Sequence, residues 1–95
     1  MDIQAADIVK SLAGRDKGKL LYVLKVEDGF AELADGRGRK LEHPKRKKLK
    51  HVQIVSRTET PVASAIRSGG KVLNSELRRD LTAFGQRFSQ NQGGK

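Results

Sequence analysis

A strand that ends in a tight hairpin turn constrains the fold more than any other feature of this chain. Within residues 19–27 every even position is apolar, and a period of two indicates a β-strand with one buried face. Asp28-Gly29 follows, a pair typical of two-residue hairpins because both central positions of that turn take a positive φ. Residues 30–34 are therefore predicted to return as the antiparallel partner strand.

Three more short segments have the composition of strands, and turn-forming residues separate them. They are residues 7–12, 39–41 and 51–56. Five short strands joined by tight turns within about 50 residues favour a small closed barrel over a sandwich. Connections this short leave no room for a crossover helix, so the pairing is expected to be antiparallel. We predict a mainly β domain over residues 6–57, folded as a five-stranded antiparallel barrel.

A helical pattern replaces the strand pattern after this domain. Thr60 followed by Pro61 is typical of a helix start, because proline is tolerated at the first helical position. The pair Gly69-Gly70 is predicted to end this short helix. The period therefore changes from two to that of a helix, which indicates a separate C-terminal segment.

A second helix is predicted to begin at Asn74 or Ser75, either of which can cap its first turn. Its apolar residues recur at helical spacing and form one stripe. The stripe consists of Leu77, Leu81, Phe84 and Phe88. In so small a protein, such a stripe is predicted to cover an open side of the barrel. Residues 58–89 are thus expected to be a helical extension packed on the barrel, and residues 90–95 a disordered tail.

The positive charge of the chain is concentrated in one short segment. The net charge is +9, and residues 37–50 hold eight of the 20 Lys and Arg residues with Glu42 as the single anion. Neighbouring like charges repel one another, and a bound polyanion offsets that repulsion. The segment therefore predicts a nucleic-acid partner. The alternative is a solvated basic loop with no specific role.

The composition excludes several kinds of chemistry. The chain has no cysteine and two histidines, so disulfides, thiol nucleophiles and zinc ribbons are ruled out. No nucleotide-binding loop or catalytic-triad spacing is present. No segment approaches the roughly 18 apolar residues of a membrane helix, and the start lacks a signal-peptide pattern. We expect a soluble intracellular protein that is not an enzyme, needs no cofactor or metal, and has no membrane partner.

The stretch from Ile8 to Lys19, which reads Ile-Val-Lys-Ser-Leu-Ala-Gly-Arg-Asp-Lys-Gly-Lys, resembles the KOW motif. In that family a strand, a loop with a Lys-Gly pair and a second strand form part of an SH3-like barrel. The later residues Asp35-Gly36-Arg37, Lys45-Arg46-Lys47 and Lys50-His51 resemble the KOW-containing large-subunit ribosomal proteins of archaea and eukaryotes, and their small bacterial relatives more closely still. The resemblance covers about residues 6–56 and implies RNA binding, often at the ribosome.

The resemblance also implies that the loop around the KOW glycine contacts RNA, through Arg15, Lys17 and Lys19. Physical reasoning agrees, because glycines let backbone N–H groups approach a phosphate closely. Cations in two separate loops can also hold one RNA backbone from two sides. The predicted RNA-binding residues are Arg15, Lys17, Lys19, Arg37, Arg39, Lys40, Lys45, Arg46, Lys47, Lys48, Lys50 and His51.

The sequence thus predicts a non-enzymatic RNA-binding protein of the translation apparatus. It is expected to bind ribosomal or other structured RNA through phosphate contacts. We expect a monomer in the cytoplasm that associates with the ribosome and also contacts ribosomal proteins. One open alternative is a protein–protein adaptor that uses the SH3-like barrel and the C-terminal helix, although few aromatic residues are available for a peptide groove. A second is a nuclear import signal in residues 44–50, although that segment lies between two predicted strands.

Overall fold

The computed structural model describes the backbone of residues 2–93 and the side chains of residues 2–87. The chain forms five β-strands, a single 3₁₀ turn and two α-helices within this part. The strands are β1 (Asp7–Ser11), β2 (Leu20–Glu27), β3 (Phe30–Ala34), β4 (Lys45–Lys48) and β5 (Val52–Arg57). The 3₁₀ turn is Leu49–His51, and the helices are α1 (Pro61–Ser68) and α2 (Asn74–Gly93).

All five strands belong to one antiparallel sheet, in the order β4-β3-β2-β1-β5. The prediction of a mainly β, five-stranded antiparallel fold is confirmed. The last strand returns to pair with the first, so that Val52 lies opposite Ser11 and Arg57 opposite Asp7. No ladder joins β4 to β5 within residues 2–93. The sheet is therefore open at these two edges, and the structure does not show a closed barrel.

The predicted hairpin between β2 and β3 is confirmed. The two strands pair from Tyr22 opposite Ala34 to Glu27 opposite Phe30. Asp28 and Gly29 between them have φ angles of 55° and 79°. Positive φ at both positions is what a two-residue hairpin turn requires, because its twist then matches that of the strands.

The position predicted for the fourth strand is wrong. Residues 39–41 lie in a connection, and the strand is formed by the basic residues Lys45–Lys48. This strand pairs with β3 from Leu33 opposite Lys45 to Phe30 opposite Lys48. Charged side chains are tolerated there because β4 is an edge strand, where they also discourage pairing with other chains. Hydrophobic periodicity does not reveal such a strand.

The sheet buries apolar side chains on both faces. One cluster lies between the sheet and the two helices. Its members are Ala6, Ile8, Tyr22, Ala34, Val62, Ala63, Leu77 and Leu81. The other cluster lies on the opposite face and consists of Val9, Leu21, Val23, Ala31, Leu33 and Val52. No helix or second sheet within residues 2–93 covers this second cluster, so its burial requires the sheet to bend around it, with Ile3 and Leu49 packed against it.

Helix α1 has the ends that the sequence predicts. The Thr60 hydroxyl accepts a hydrogen bond from the backbone N–H of Ala63 at 3.1 Å, and Pro61 is the first helical residue. Gly69 follows the last turn with a φ of 77°. Glycine is favoured there because the left-handed conformation costs it no steric strain.

Helix α2 covers one face of the sheet, which agrees with the predicted apolar stripe. Leu77 is fully buried, Leu81 is nearly so, and Phe84 packs against the same cluster. The side chain of Phe88 lies outside the described residues. None of the helices within residues 2–93 is long and apolar enough to cross a lipid bilayer.

The two ends of α2 differ from the prediction. The helix begins at Asn74, so neither of the two predicted caps precedes it. Asn74 instead holds the preceding connection, because its side chain accepts a hydrogen bond from Leu41 N at 2.8 Å and donates one to Glu42 at 2.9 Å. The second bond lowers the pKa of the Glu42 carboxyl. The backbone is helical to Gly93, past the predicted end at residue 89, and residues 94–95 of the predicted tail lie outside the described part.

Tyr22 connects the sheet to both helices. Its ring is fully buried in the first cluster, and its hydroxyl donates a hydrogen bond to Asp80 of α2 at 2.9 Å. The same hydroxyl lies 3.3 Å from Thr60 Oγ1, the cap of α1. Burial, followed by the neighbouring Asp80, raises the pKa of Tyr22. This side chain therefore supports the position of both helices on the sheet.

We expect Tyr22→Phe to lower the free energy of unfolding by about 1–2 kcal/mol, because Asp80 loses its donor in a partly buried position. The loss should also depend on pH. The raised pKa means that the contribution of Tyr22 is complete below the ordinary tyrosine value of about 10 and is lost as pH rises through the higher folded value. Denaturant melts from neutral to alkaline pH should show a shallower alkaline decline for the variant. Equal declines for both proteins would contradict this role.

Candidate nucleic-acid interface

The connection between β1 and β2, residues 12–19, lies at the centre of the candidate site. Arg15 and Lys17 are exposed on it, whereas Asp16 between them is buried. Gly14 and Gly18 have φ angles of 80° and 86°, which glycine adopts without strain. The connection thus presents two cations outward and turns its carboxylate toward the protein.

Asp16 joins this connection to the one between β3 and β4. The Nε and Nη2 atoms of Arg39 donate to the same Asp16 oxygen at 3.0 and 2.9 Å. Lys19 Nζ lies 3.8 Å from the other oxygen. Arg39 is therefore a structural link between two basic loops, and Lys19 is an exposed cation partly paired with the same carboxylate.

The connection between β3 and β4, residues 35–44, is called the second loop, and Asp35 shapes its tip. Its Oδ1 atom accepts hydrogen bonds from the backbone N–H groups of Arg37 and Arg39 at 2.9 and 3.0 Å. The carboxylate is used inside the turn, while the Arg37 side chain is exposed at its tip. Lys40 is exposed on the same loop. This turn therefore adds two exposed cations beside those of residues 12–19.

Lys47 is the buried member of the basic strand. The residue is 8% exposed, and its ammonium group donates to the carbonyl oxygen of Ala13 at 2.8 Å. It points toward the second cluster side of the sheet, because Lys47 lies opposite the buried Ala31. Lys47 was predicted to bind RNA, but its side chain instead supports residues 12–19 from inside the protein.

The other residues of β4 lie along the sheet edge. Lys45 is half-buried, whereas Arg46 and Lys48 are exposed on the face opposite Lys47. The Arg46 guanidinium lies 3.8 Å above the ring of Phe30, a cation–π contact. Lys48 lies opposite Phe30, at the hairpin end of the sheet. Arg46 and Lys48 therefore lie on the other face of β4 from Lys47 and its contact with Ala13.

The 3₁₀ turn returns the chain toward the first loop. The carbonyl oxygen of His51 accepts a hydrogen bond from Leu12 N at 2.9 Å. His51 is half-buried and Lys50 is exposed beside it. The structure therefore brings most of the predicted residues around residues 12–19, and it places Arg46 and Lys48 on the face of β4 opposite Lys47. We call the exposed cations around this loop the basic surface: Arg15, Lys17, Lys19, Arg37, Lys40 and Lys50.

Sequence reasoning missed the contribution of α2. Arg78 donates to the carbonyl oxygen of Gly36 at 2.9 Å, so the helix lies directly against the second loop. Two adjoining hollows of about 420 and 300 Å³ separate this helix from the loop, and Arg37 and Arg78 line both of them. Arg79 lines the larger hollow. The signal in the sequence was a pair of arginines beside the apolar stripe, but nothing there indicated which loop they would meet.

The described residues give no sign of a metal site. Among them, no group of three or more histidine, aspartate or glutamate side chains is placed to hold a metal ion. Every buried side-chain nitrogen or oxygen in the described part also has a hydrogen-bond partner. The chemistry of the site is therefore that of exposed Lys and Arg side chains on well-supported loops.

Comparison with known proteins adds no assignment. The chain matches no model of a known protein family, and no curated protein matches it at a significant level. The resemblance to the KOW family therefore stays a prediction made from the residues.

Proposed function

We propose that this is a non-enzymatic RNA-binding protein that holds structured RNA through phosphate contacts at the basic surface. The observation that supports this most strongly is the separation of charge in the loops. Arg15, Lys17 and Arg37 are exposed, while the nearby carboxylates of Asp16 and Asp35 are engaged in internal hydrogen bonds. A surface arranged in this way attracts a polyanion over a wide area.

The proposed contacts are to phosphates rather than to bases. Single-stranded RNA is usually read by aromatic side chains that stack on unpaired bases. Among the side chains of residues 2–87, Tyr22 is buried, Phe30 is half-buried under Arg46, and Phe84 is packed against the core. Lysine and arginine contacts to phosphate position a protein without reading sequence. The proposed ligand is therefore recognised by its shape and charge.

We further propose that the sheet is an SH3-like barrel of the KOW type that is open at one seam. The return of β5 to pair with β1 supports this, as does the bending of the sheet around the second cluster. The loop with Gly14 and Gly18 corresponds to the loop that the resemblance expects at RNA. A place in the translation apparatus, on ribosomal RNA and in the cytoplasm, follows from the same resemblance and is part of the proposal.

The adaptor alternative receives less support from the structure. That alternative uses the barrel and the C-terminal helix, and Leu77 and Leu81 on the apolar stripe of this helix are buried against the sheet. The import-signal alternative is weakened in a similar way. Residues 45–48 are hydrogen-bonded in a strand, and Lys47 among them is buried. Neither function is therefore proposed.

The test of the proposed function is binding to RNA hairpins of equal length and unrelated sequence. We expect similar affinities for all of them, because phosphate contacts dominate. Fluorescence anisotropy at one fixed salt concentration gives the comparison, with a peptide-sized polyanion such as polyglutamate as the competitor control. A preference above about 100-fold for one loop sequence would show base readout instead, since each specific contact between a side chain and a base is worth roughly 1–3 kcal/mol.

A further inference from the structure

The face of α2 that borders the second loop has an unusual composition for an exposed helix. Its residues follow the spacing i, i+3, i+4, i+7, i+8 and i+11, so they lie on one side of the helix. They are Ser75, Arg78, Arg79, Thr82, Ala83 and Gln86. We call this face the polar face. It carries two arginines, two hydroxyls, one amide and no carboxylate.

The carboxylates of the helix are engaged elsewhere. Glu76 accepts a hydrogen bond from Leu73 N at 2.9 Å, at the start of the helix. Asp80 accepts the hydroxyl of Tyr22 at 2.9 Å, on the side that faces the sheet. Both acids within the described side chains of α2 therefore have structural partners.

The second loop forms the opposite wall. Arg37 lines both hollows, and Lys19 lines the smaller one together with Asp35. Four cations and one carboxylate therefore surround the space, and Asp35 already accepts two backbone N–H groups. The lining of this space therefore holds more cations than anions, and a bound anionic chain stabilises such an arrangement.

We propose that this groove holds a segment of RNA backbone, so that α2 forms the second wall of the RNA-binding site. The proposal rests on the proposed function and extends it to a helix outside the region of KOW resemblance. The polar face spans about 17 Å from Ser75 to Gln86 at 1.5 Å per residue. Hydroxyl and amide side chains beside arginines are the groups that contact phosphate oxygens and ribose hydroxyls.

The second loop and α2 are in close contact at one end of the groove. A side chain at Gly36 would place its β-carbon 2.2 Å from the carbonyl oxygen of Asn74, so glycine allows the two walls to meet at one end. Arg78 ties them at the same end through the Gly36 carbonyl. Arg79 is exposed on the helix side of the groove and Arg37 on the loop side. A backbone between these two arginines would be contacted from both walls.

The first arm of the test uses a position-specific crosslink. The chain has no cysteine, so Gln86→Cys provides a unique attachment point for a photoreactive group in the groove. Ser64→Cys, at an exposed position of α1, is the matched control. We expect the Gln86 position to crosslink to a perfectly paired RNA hairpin and the Ser64 position not to.

The second arm uses charge. Arg79→Gln should flatten the plot of log affinity against log salt by about 0.7–0.9, the value of one phosphate contact. Arg67→Gln removes the same charge from α1, where Arg67 pairs with Glu59, and should leave the slope unchanged. If wild type binds RNA but Arg79→Gln keeps its slope and the Gln86 position does not crosslink, the groove proposal is overturned and the proposed function stands. If wild type binds no RNA hairpin, both fail.

Discussion

Gly36→Ala is expected to lower the free energy of unfolding by about 2–5 kcal/mol. The φ of Gly36 is 80°, a left-handed conformation that costs other residues roughly 1–2 kcal/mol. The added β-carbon would also lie 2.2 Å from the carbonyl oxygen of Asn74 and 3.1 Å from Arg78 Cγ. The first of these is backbone in the opening turn of α2 and cannot rotate away, so the overlap adds at least the roughly 1–3 kcal/mol typical of overpacking.

Gly38→Ala is the matched control, because it lies in the same turn and no atom lies within 4 Å of the position that its β-carbon would take. Its effect should stay within about 0.5 kcal/mol. Thermal melts of both variants give the comparison, and each kcal/mol corresponds to about 4–8 °C in a domain of this size. Similar melting temperatures for the two variants would show that α2 is not held against the second loop.

The double variant Arg15→Gln/Lys17→Gln is expected to weaken binding to an RNA hairpin about 25- to 60-fold near 0.1 M salt. Each lost phosphate contact flattens the slope of log affinity against log salt by about 0.7–0.9. Because 0.1 M lies one log unit below 1 M, each contact is worth about 0.7–0.9 log units of affinity at 0.1 M. Both side chains are exposed and neither is needed for the internal bonds of the loop, which Asp16 makes to Arg39. The thermal stability should therefore change little.

The control for this variant is Lys25→Gln/Arg67→Gln, which removes the same net charge. Lys25 pairs with Glu27 at 3.1 Å near the hairpin end, and Arg67 pairs with Glu59 at 3.3 Å on α1. These cations are away from residues 12–19 and already have carboxylate partners. Binding by the control should remain close to wild type. An equal loss in both variants would mean that RNA responds to net charge alone.

The elements that the sequence predicted well are those with a local cause. The hairpin at Asp28-Gly29 depends on two positive φ angles that the two residues themselves favour, and α1 depends on a cap at Thr60 and a glycine at its end. The apolar stripe of α2 likewise indicated its buried side. In each of these cases the information lies within a few neighbouring residues.

The elements that the sequence placed wrongly depend on distant partners. Strand β4 exists because β3 offers it an edge, and four consecutive cations contain no hydrophobic period to reveal it. Asn74 is a residue type that often caps helices, but its side chain is hydrogen-bonded to Leu41 and Glu42, which lie more than thirty residues away. Long-range contacts of this kind leave no local pattern.

The candidate site was predicted in its composition but not in its organisation. The sequence identified the cations, but could not show that Lys47 and Arg39 would be used internally by Ala13 and Asp16. It also gave no reason to join α2 to the second loop. The distinction between structural and exposed cations requires the three-dimensional contacts.

The central claim is that the cations around residues 12–19 hold an RNA backbone. The most direct test measures the affinity for one RNA hairpin across a range of salt concentrations, for wild type, Arg15→Gln/Lys17→Gln and Lys25→Gln/Arg67→Gln. We expect the slope of log affinity against log salt to flatten by about 1.5 for the first variant, from two contacts of roughly 0.7–0.9 each, and to be unchanged for the second. A wild-type slope in the Arg15→Gln/Lys17→Gln variant, with a normal thermal melt, would contradict the account.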